Sequence, residues 1–389
     1  MAKKFTKLEV TAEQYMAELY PVTKKLTKLE VGKAVAQDGN RCFKQLTKQY
    51  ITGLFDANNN LIKSLDVLIN DYGMRCDIDY TAETYATNQA SPFNVLKHPD
   101  LVSGVKLVIG GNNITRIGNY AFYECDSLVS VEIGGDISFI QEYAFGKCNN
   151  LKTIIIGKDV AAIDLAAFSG CSSLTSVKLP DSVTRIGYRA FEGCDSLESI
   201  TIPFVGATKD GTANTAYLGH LFGARGESMS GKNSLVPSSL KNVEITGGND
   251  IGQGAFCGCQ NIKNILLPNS LKNISGSAFD GCISLEKITI PDSVTSIGQG
   301  AFSGCSSLTS IAIPDSVTSI GGFAFTSCIS LTSVVIGNSV RNIGTYAYVN
   351  CRSLTDVYYR GTVNQWKQIS IAEGNEKLTD ANIHYNYKN

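Results

Sequence analysis

Apolar and polar positions alternate along this chain in short, repeated phrases. From Leu174 the sequence reads Leu-x-x-Val-x-Leu (Leu174, Val177, Leu179), an irregular entry followed by strict alternation. That pattern predicts a short strand with one buried face. Pro180-Asp181 then turns the chain. Val183 and Ile186 predict a second short inward segment, and Gly187 a tight bend. The Ala190-Phe191-x-x-Cys194 stretch predicts a helical turn that packs inward before Leu197 opens the next unit.

The phrase recurs every 23 residues: PDSVTRIGYRAFEGCDSLESITI (180–202), PDSVTSIGQGAFSGCSSLTSIAI (291–313) and PDSVTSIGGFAFTSCISLTSVVI (314–336) are near copies. Phe122, Phe145, Phe168, Phe191, Phe256, Phe279, Phe302, Phe325 and Tyr348 occupy one position, and Leu128, Leu151, Leu174, Leu197, Ile262, Leu285, Leu308, Leu331 and Leu354 another. A unit this short cannot bury its own apolar face, whereas stacked units bury equivalent side chains against one another. The expected fold is therefore a repeat solenoid with 23-residue coils of short strands and helical turns.

The same register accounts for most of the cysteines. Cys125, Cys148, Cys171 and Cys194, and again Cys259, Cys282, Cys305, Cys328 and Cys351, are 23 residues apart. No C-x2-C pair is present, so zinc spacing is missing. Nine ladder cysteines cannot all pair among themselves, and a buried thiol filling the core of each repeat is the expected role.

The motif SVTSIGxxAFxGCxSLTSI resembles the BspA-like, or Treponema-pallidum-type, leucine-rich repeat family over residues 105–359, and 361–385 resembles the closing segment of bacterial members. The resemblance implies a leucine-rich-repeat solenoid without intrinsic catalysis, used for adhesion or ligand recognition at a surface.

Cys194 and Cys259 are 65 residues apart, which breaks the period. Aligning SLKNVEI (239–245) with SLESITI (196–202) leaves one coil swollen to 43 residues, with the extra sequence in 203–237. One reading makes this a binding projection bearing Tyr217, His220 and Arg225, since insertions in solenoids emerge as loops. The other makes it a degenerate repeat in which LGHLFG replaces the A-F-x-G-C turn.

The outward strand positions form two columns of mostly small hydroxylated residues. Lys178, Glu244, Lys287, Asp356 and Tyr358 are their most distinctive members and the candidate ligand contacts. Basic residues interleaved with aromatics, which nucleic-acid binding needs, are missing from those columns. No G-x-S-x-G elbow, phosphate loop or carboxylate pair occurs, and Asp181, Asp292 and Asp315 sit in identical turns that they cap. The expectation is no catalytic residue, no metal and no cofactor.

Composition adds little to this picture. Lys and Arg total 34 against 35 Asp and Glu, so there is no global attraction for polyanions. No Sec-type leader and no apolar run of membrane-spanning length is apparent, so the chain is expected to be made in the cytoplasm without membrane insertion, with display on a cell surface or a virion open.

Residues 1–100 lack the repeat and are expected to form a small mixed α/β module. Their first fifty residues carry ten basic and five acidic side chains, and the next fifty three and seven. The spacing predicts a helix over TAEQYMAELY (11–20), a helix or hairpin over 60–73, and a connector over 76–100. The domain reading is 1–100 for capping or attachment, including oligomerisation, 101–360 for the solenoid and 361–389 for a C-terminal cap. Two functions follow. The first is non-enzymatic recognition of a protein or carbohydrate partner. The alternative is a structural part of an assembly such as a phage particle, docked through residues 1–100.

Overall fold

The computed structural model describes residues 26–31, 51–56, 61–62, 105–109, 115–209, 215–225 and 233–388. The helix expected at 11–20, most of 60–73 and the connector at 76–100 lie outside them. Two compact units divide the chain, Met1–Leu174 and Thr175–Asn389.

In the first unit the strands Val105–Ile109, Leu128–Ile133 and Thr153–Ile155 pair in parallel, with Leu107, Val131 and Ile154 in register. Leu26–Val31 joins this ladder parallel to Val105–Ile109 and pairs antiparallel with Ile51–Asp56 on its other side. A second parallel ladder aligns Ile117, Ile140 and Ile163. The rings of Phe122, Phe145 and Phe168 stack at 5.1 and 5.4 Å.

The second unit repeats this plan over more coils. One ladder runs through Ser176–Lys178, Ser199–Ile202, Asn242–Ile245, Asn264–Leu266 and Lys287–Ile288. Another runs through Ser310–Ile313, Ser333–Ile336, Asp356–Tyr359 and Asn382–His384. A separate sheet collects the second short segments, from Asp250–Ile251 to Ser370–Ile371. Phe256, Phe279, Phe302, Phe325 and Tyr348 stack at 5.0 to 5.4 Å, and all are fully buried. Each such ring contributes about 1.5–3 kcal/mol by leaving water. Stacking adds about 0.5–1.5 kcal/mol per pair.

The Ala-Phe turn is built from two hydrogen-bonded steps. In the Phe302 coil the amide of Ala301 donates to the Gly298 carbonyl and that of Ser303 to the Gly300 carbonyl. The residue before Ala-Phe and the residue before Cys are both left-handed, as at Phe323 (φ 60) and Ser327 (φ 59). Intervening amides point along the stack, so Phe279 donates to Ala301 and Phe302 to Ala324, each at 2.7 Å. The glycine after the second segment serves close approach: a Cβ on Gly298 would lie 2.6 Å from the Gly276 amide nitrogen. Asp315 caps the following coil instead of its own turn, accepting from the Asn338 amide at 2.9 Å.

All ten cysteines among the described residues are buried free thiols. They do more than fill space. Cys282, Cys305 and Cys328 each donate to the carbonyl of the Phe one coil earlier, at 3.2 Å. Burial pushes their acidities down, and the Cys351 thiol rises to about 12, so the proton needed for donation stays in place at neutral pH.

The segment 203–237 corrects the expectation of a projection where it is described. Phe204, Tyr217, Leu218, Leu221, Phe222 and Ala224 are buried. Leu218–Phe222 forms a 3-10 helix that ends on left-handed Gly223 (φ 92). It occupies the place of an Ala-Phe turn: Phe191 donates to the Leu221 carbonyl at 2.9 Å, and Leu218 donates onward to Ala255 at 2.9 Å. Asn233, itself buried, completes the coil. Its Oδ1 accepts from the Gly219 amide at 2.6 Å and its Nδ2 donates to the Cys257 carbonyl at 2.9 Å.

The C-terminal segment continues both ladders of its unit by one coil. Thr362 and Gln365 form a capping box on the helix Val363–Trp366, and Trp366 packs edge-on to Tyr359 at 5.2 Å. Buried Asn375 accepts from the Tyr348 amide at 3.1 Å, replacing the backbone carbonyl that a further repeat would supply.

Candidate recognition surface

Strand alternation places the outward columns where the pattern predicts. Lys178, Glu244 and Lys287 are exposed, on separate coils of the second unit, and no two of them touch. Side chains bridge the coils between them: Thr201 donates to Glu244 at 3.0 Å and Asn264 to Asn242 at 2.9 Å. The second column then turns apolar, with Leu266 61% exposed, followed by Thr289, Ala312, Val335 and Tyr358.

Asp356 and Tyr358 are brought together with two residues the repeat pattern did not nominate. His384, on the closing strand, stacks on the Tyr358 ring at 4.6 Å and 14°, and Tyr387 lies against the same ring at 4.8 Å. His384 Nε2 lies 2.8 Å from Asp356 Oδ1, and the Thr355 hydroxyl donates to Asp356 Oδ2 at 2.8 Å. These bonds, His384 first, hold the Asp356 carboxyl below the usual carboxylate range. The carboxylate is thus fixed beside three rings at the end of the ladder. His384 and Tyr387 fall in IHYNY, outside the 23-residue register; the only signal for them was that aromatic run.

The other candidates sit on the turn side of the swollen coil. Tyr217 is 2% exposed and its hydroxyl donates to the Ala224 carbonyl, so it is a packing residue and not a projecting contact. His220 is half-buried between Tyr188 and Tyr217, with ring centroids 5.5 and 6.1 Å away. Burial lowers its pKa, against the opposing effect of its bond to the Ile186 backbone. Arg225 is exposed at the end of that stretch. Among the described residues no group of three or more His, Cys, Asp or Glu could hold a metal ion. No helix among them is long and apolar enough to cross a membrane.

Comparison with known proteins agrees with the architecture. A leucine rich cell surface protein from Faecalibacterium prausnitzii is 27% identical over 69% of this chain and 82% of its own, with a TM-score of 0.35. A leucine-rich repeat protein from Bacteroides ovatus is 29% identical over 72% and 69%, with a TM-score of 0.42. The T. pallidum leucine rich repeat protein is 20% identical over 64% and 77%, with a TM-score of 0.27. No match was found among curated proteins. The profile of the BspA type leucine rich repeat region matches residues 104–209 and 231–387 in six copies. With well over half of its length in that register, the chain belongs to the BspA-type leucine-rich repeat family.

Proposed function

We propose that this chain is a non-enzymatic recognition protein that binds a protein or carbohydrate partner through the strand face of its second unit, anchored at Asp356, Tyr358, His384 and Tyr387. Leucine-rich repeat proteins generally serve in protein binding or adhesion, which supports the class of function. One observation carries the site: a Tyr358 ring stacked on His384, with Tyr387 alongside and the Asp356 carboxylate held by His384. Rigid aromatic anchors present contact area at low entropic cost. The small hydroxylated columns beside them leave room for a partner to lie flat.

The test is a pull-down and a glycan array with the full chain beside an Asp356→Ala, Tyr358→Ala double variant. Partner retention should fall about tenfold or more, the effect of losing one or two hot-spot side chains. Equal retention by both proteins would move the site elsewhere. Surface proteolysis of intact producing cells reports separately whether the protein is displayed.

A further inference from the structure

The turn side of the second unit carries a feature that packing does not explain. The residue before each Ala-Phe pair is left-handed, and along this unit the row includes Gly254, Ser277, Gly300, Phe323 and Tyr346, with φ of 66, 52, 62, 60 and 55°. Glycine suits that backbone; phenylalanine and tyrosine are strained in it. Burial does not compensate, because Phe323 remains 39% and Tyr346 38% exposed. The two rings stack at 5.4 Å and 22°. Tyr346 lies across Gly374 of the closing coil, where a Cβ would collide with its ring.

On the other side of Phe323 the next position in the row is Gly300, which is buried and has no side chain. A Cβ there would meet only Ser277 Oγ at 3.4 Å and Ser303 Cβ at 3.9 Å. Ser277 stands two coils from Phe323, about 10 Å along the stack. The row therefore has an aromatic wall, a glycine floor and a hydroxyl wall. One ring fits between the walls, at the spacing Phe323 keeps from Tyr346.

We propose that this slot binds a pyranose ring of a neutral glycan. The apolar C–H face of the sugar stacks on Phe323, and its hydroxyls meet the neutral groups of these turns, Ser277, Gln299 and Ser303. Asp280, on the Ser277 turn, adds a carboxylate acceptor for a sugar hydroxyl. A ligand with its own charge would find no ionic partner on Gln299, Ser303 or Thr326. The strain at Phe323 is then the cost of keeping an aromatic wall where the fold by itself favours glycine. The slot lies on the turn side of the coils, apart from the strand-face cluster, and does not depend on it.

The experiment uses the full chain on an array of neutral gluco-, galacto-, manno- and xylo-configured oligosaccharides, with calorimetric titration of a retained sugar. Gly300→Phe fills the slot with a side chain whose backbone conformation Phe323 already adopts, and should weaken binding about tenfold or more. Phe323→Gly removes the wall and should weaken it similarly while raising the Tm, because strain is relieved. The Asp356→Ala, Tyr358→Ala double variant should bind the same sugars unchanged, which separates this site from the strand face. The proposal is overturned if the wild type retains no neutral sugar, if it captures only charged glycans or peptides, if both slot variants bind as well as the wild type, or if Phe323→Gly lowers the Tm.

Discussion

The uniform coils from Ile251 to Leu354 and the swollen coil over 203–237 belong to the same unit, yet they complete their hydrogen bonds differently. In the uniform coils, the backbone of one repeat meets the backbone of the next: Gly281 donates to the Ser303 carbonyl at 2.8 Å. At the swollen coil the equivalent carbonyl, on Cys257, receives the side-chain amide of Asn233 at 2.9 Å. The closing coil uses the same substitution, with Asn375 Oδ1 standing where a repeat would offer an Ala carbonyl to the Tyr348 amide. A solenoid thus tolerates irregular sequence provided that the polar groups on the faces of its neighbouring coils are met. A buried asparagine can meet them because it carries both donors and an acceptor.

That contrast can be broken at several points. The largest effect is expected at Phe302, stacked between Phe279 and Phe325 with no exposure: Phe302→Ala should cost about 3–5 kcal/mol in denaturant unfolding. A shift within error would mean the rings are not the common core. Asn233→Ala should cost about 2–3 kcal/mol, because the Gly219 amide and the Cys257 carbonyl lose buried partners. If the loss were no larger than at an exposed position, the amide bridge would not be what closes the swollen coil.

Smaller effects sharpen the picture. Cys305→Ala should cost about 1 kcal/mol by removing the thiol bond to Phe279. A reductant should leave the Tm unchanged, since the described cysteines are free thiols; a marked drop would reveal cross-links. The smallest effect concerns pH. His220 has a folded pKa below its ordinary value, so as pH falls through about 6.5 the unfolded chain takes up the proton first and stability declines. The decline ends once pH passes the lowered folded value. His220→Gln should flatten thermal stability between pH 7.5 and 5, and an unaltered slope would place the sensitivity at another group.

Period and composition by themselves determined the coil, its length and its core. Every unit must bury its Phe, Leu, Ile and Cys against equivalents, and that requirement is written in each copy. The outward columns followed directly, because side chains alternate along a strand. Tertiary structure alone decided three things. It folded LGHLFG into the stack, since the coil before it and the coil after it both present unpaired backbone groups that a free loop would leave unmet. It gathered Asp356, Tyr358, His384 and Tyr387, because strand register links residues 26 to 29 positions apart that no repeat relates. It also showed that aromatic residues occupy left-handed positions on the turn side, since backbone handedness is set by the inter-coil hydrogen bonds and leaves no trace in hydrophobic periodicity.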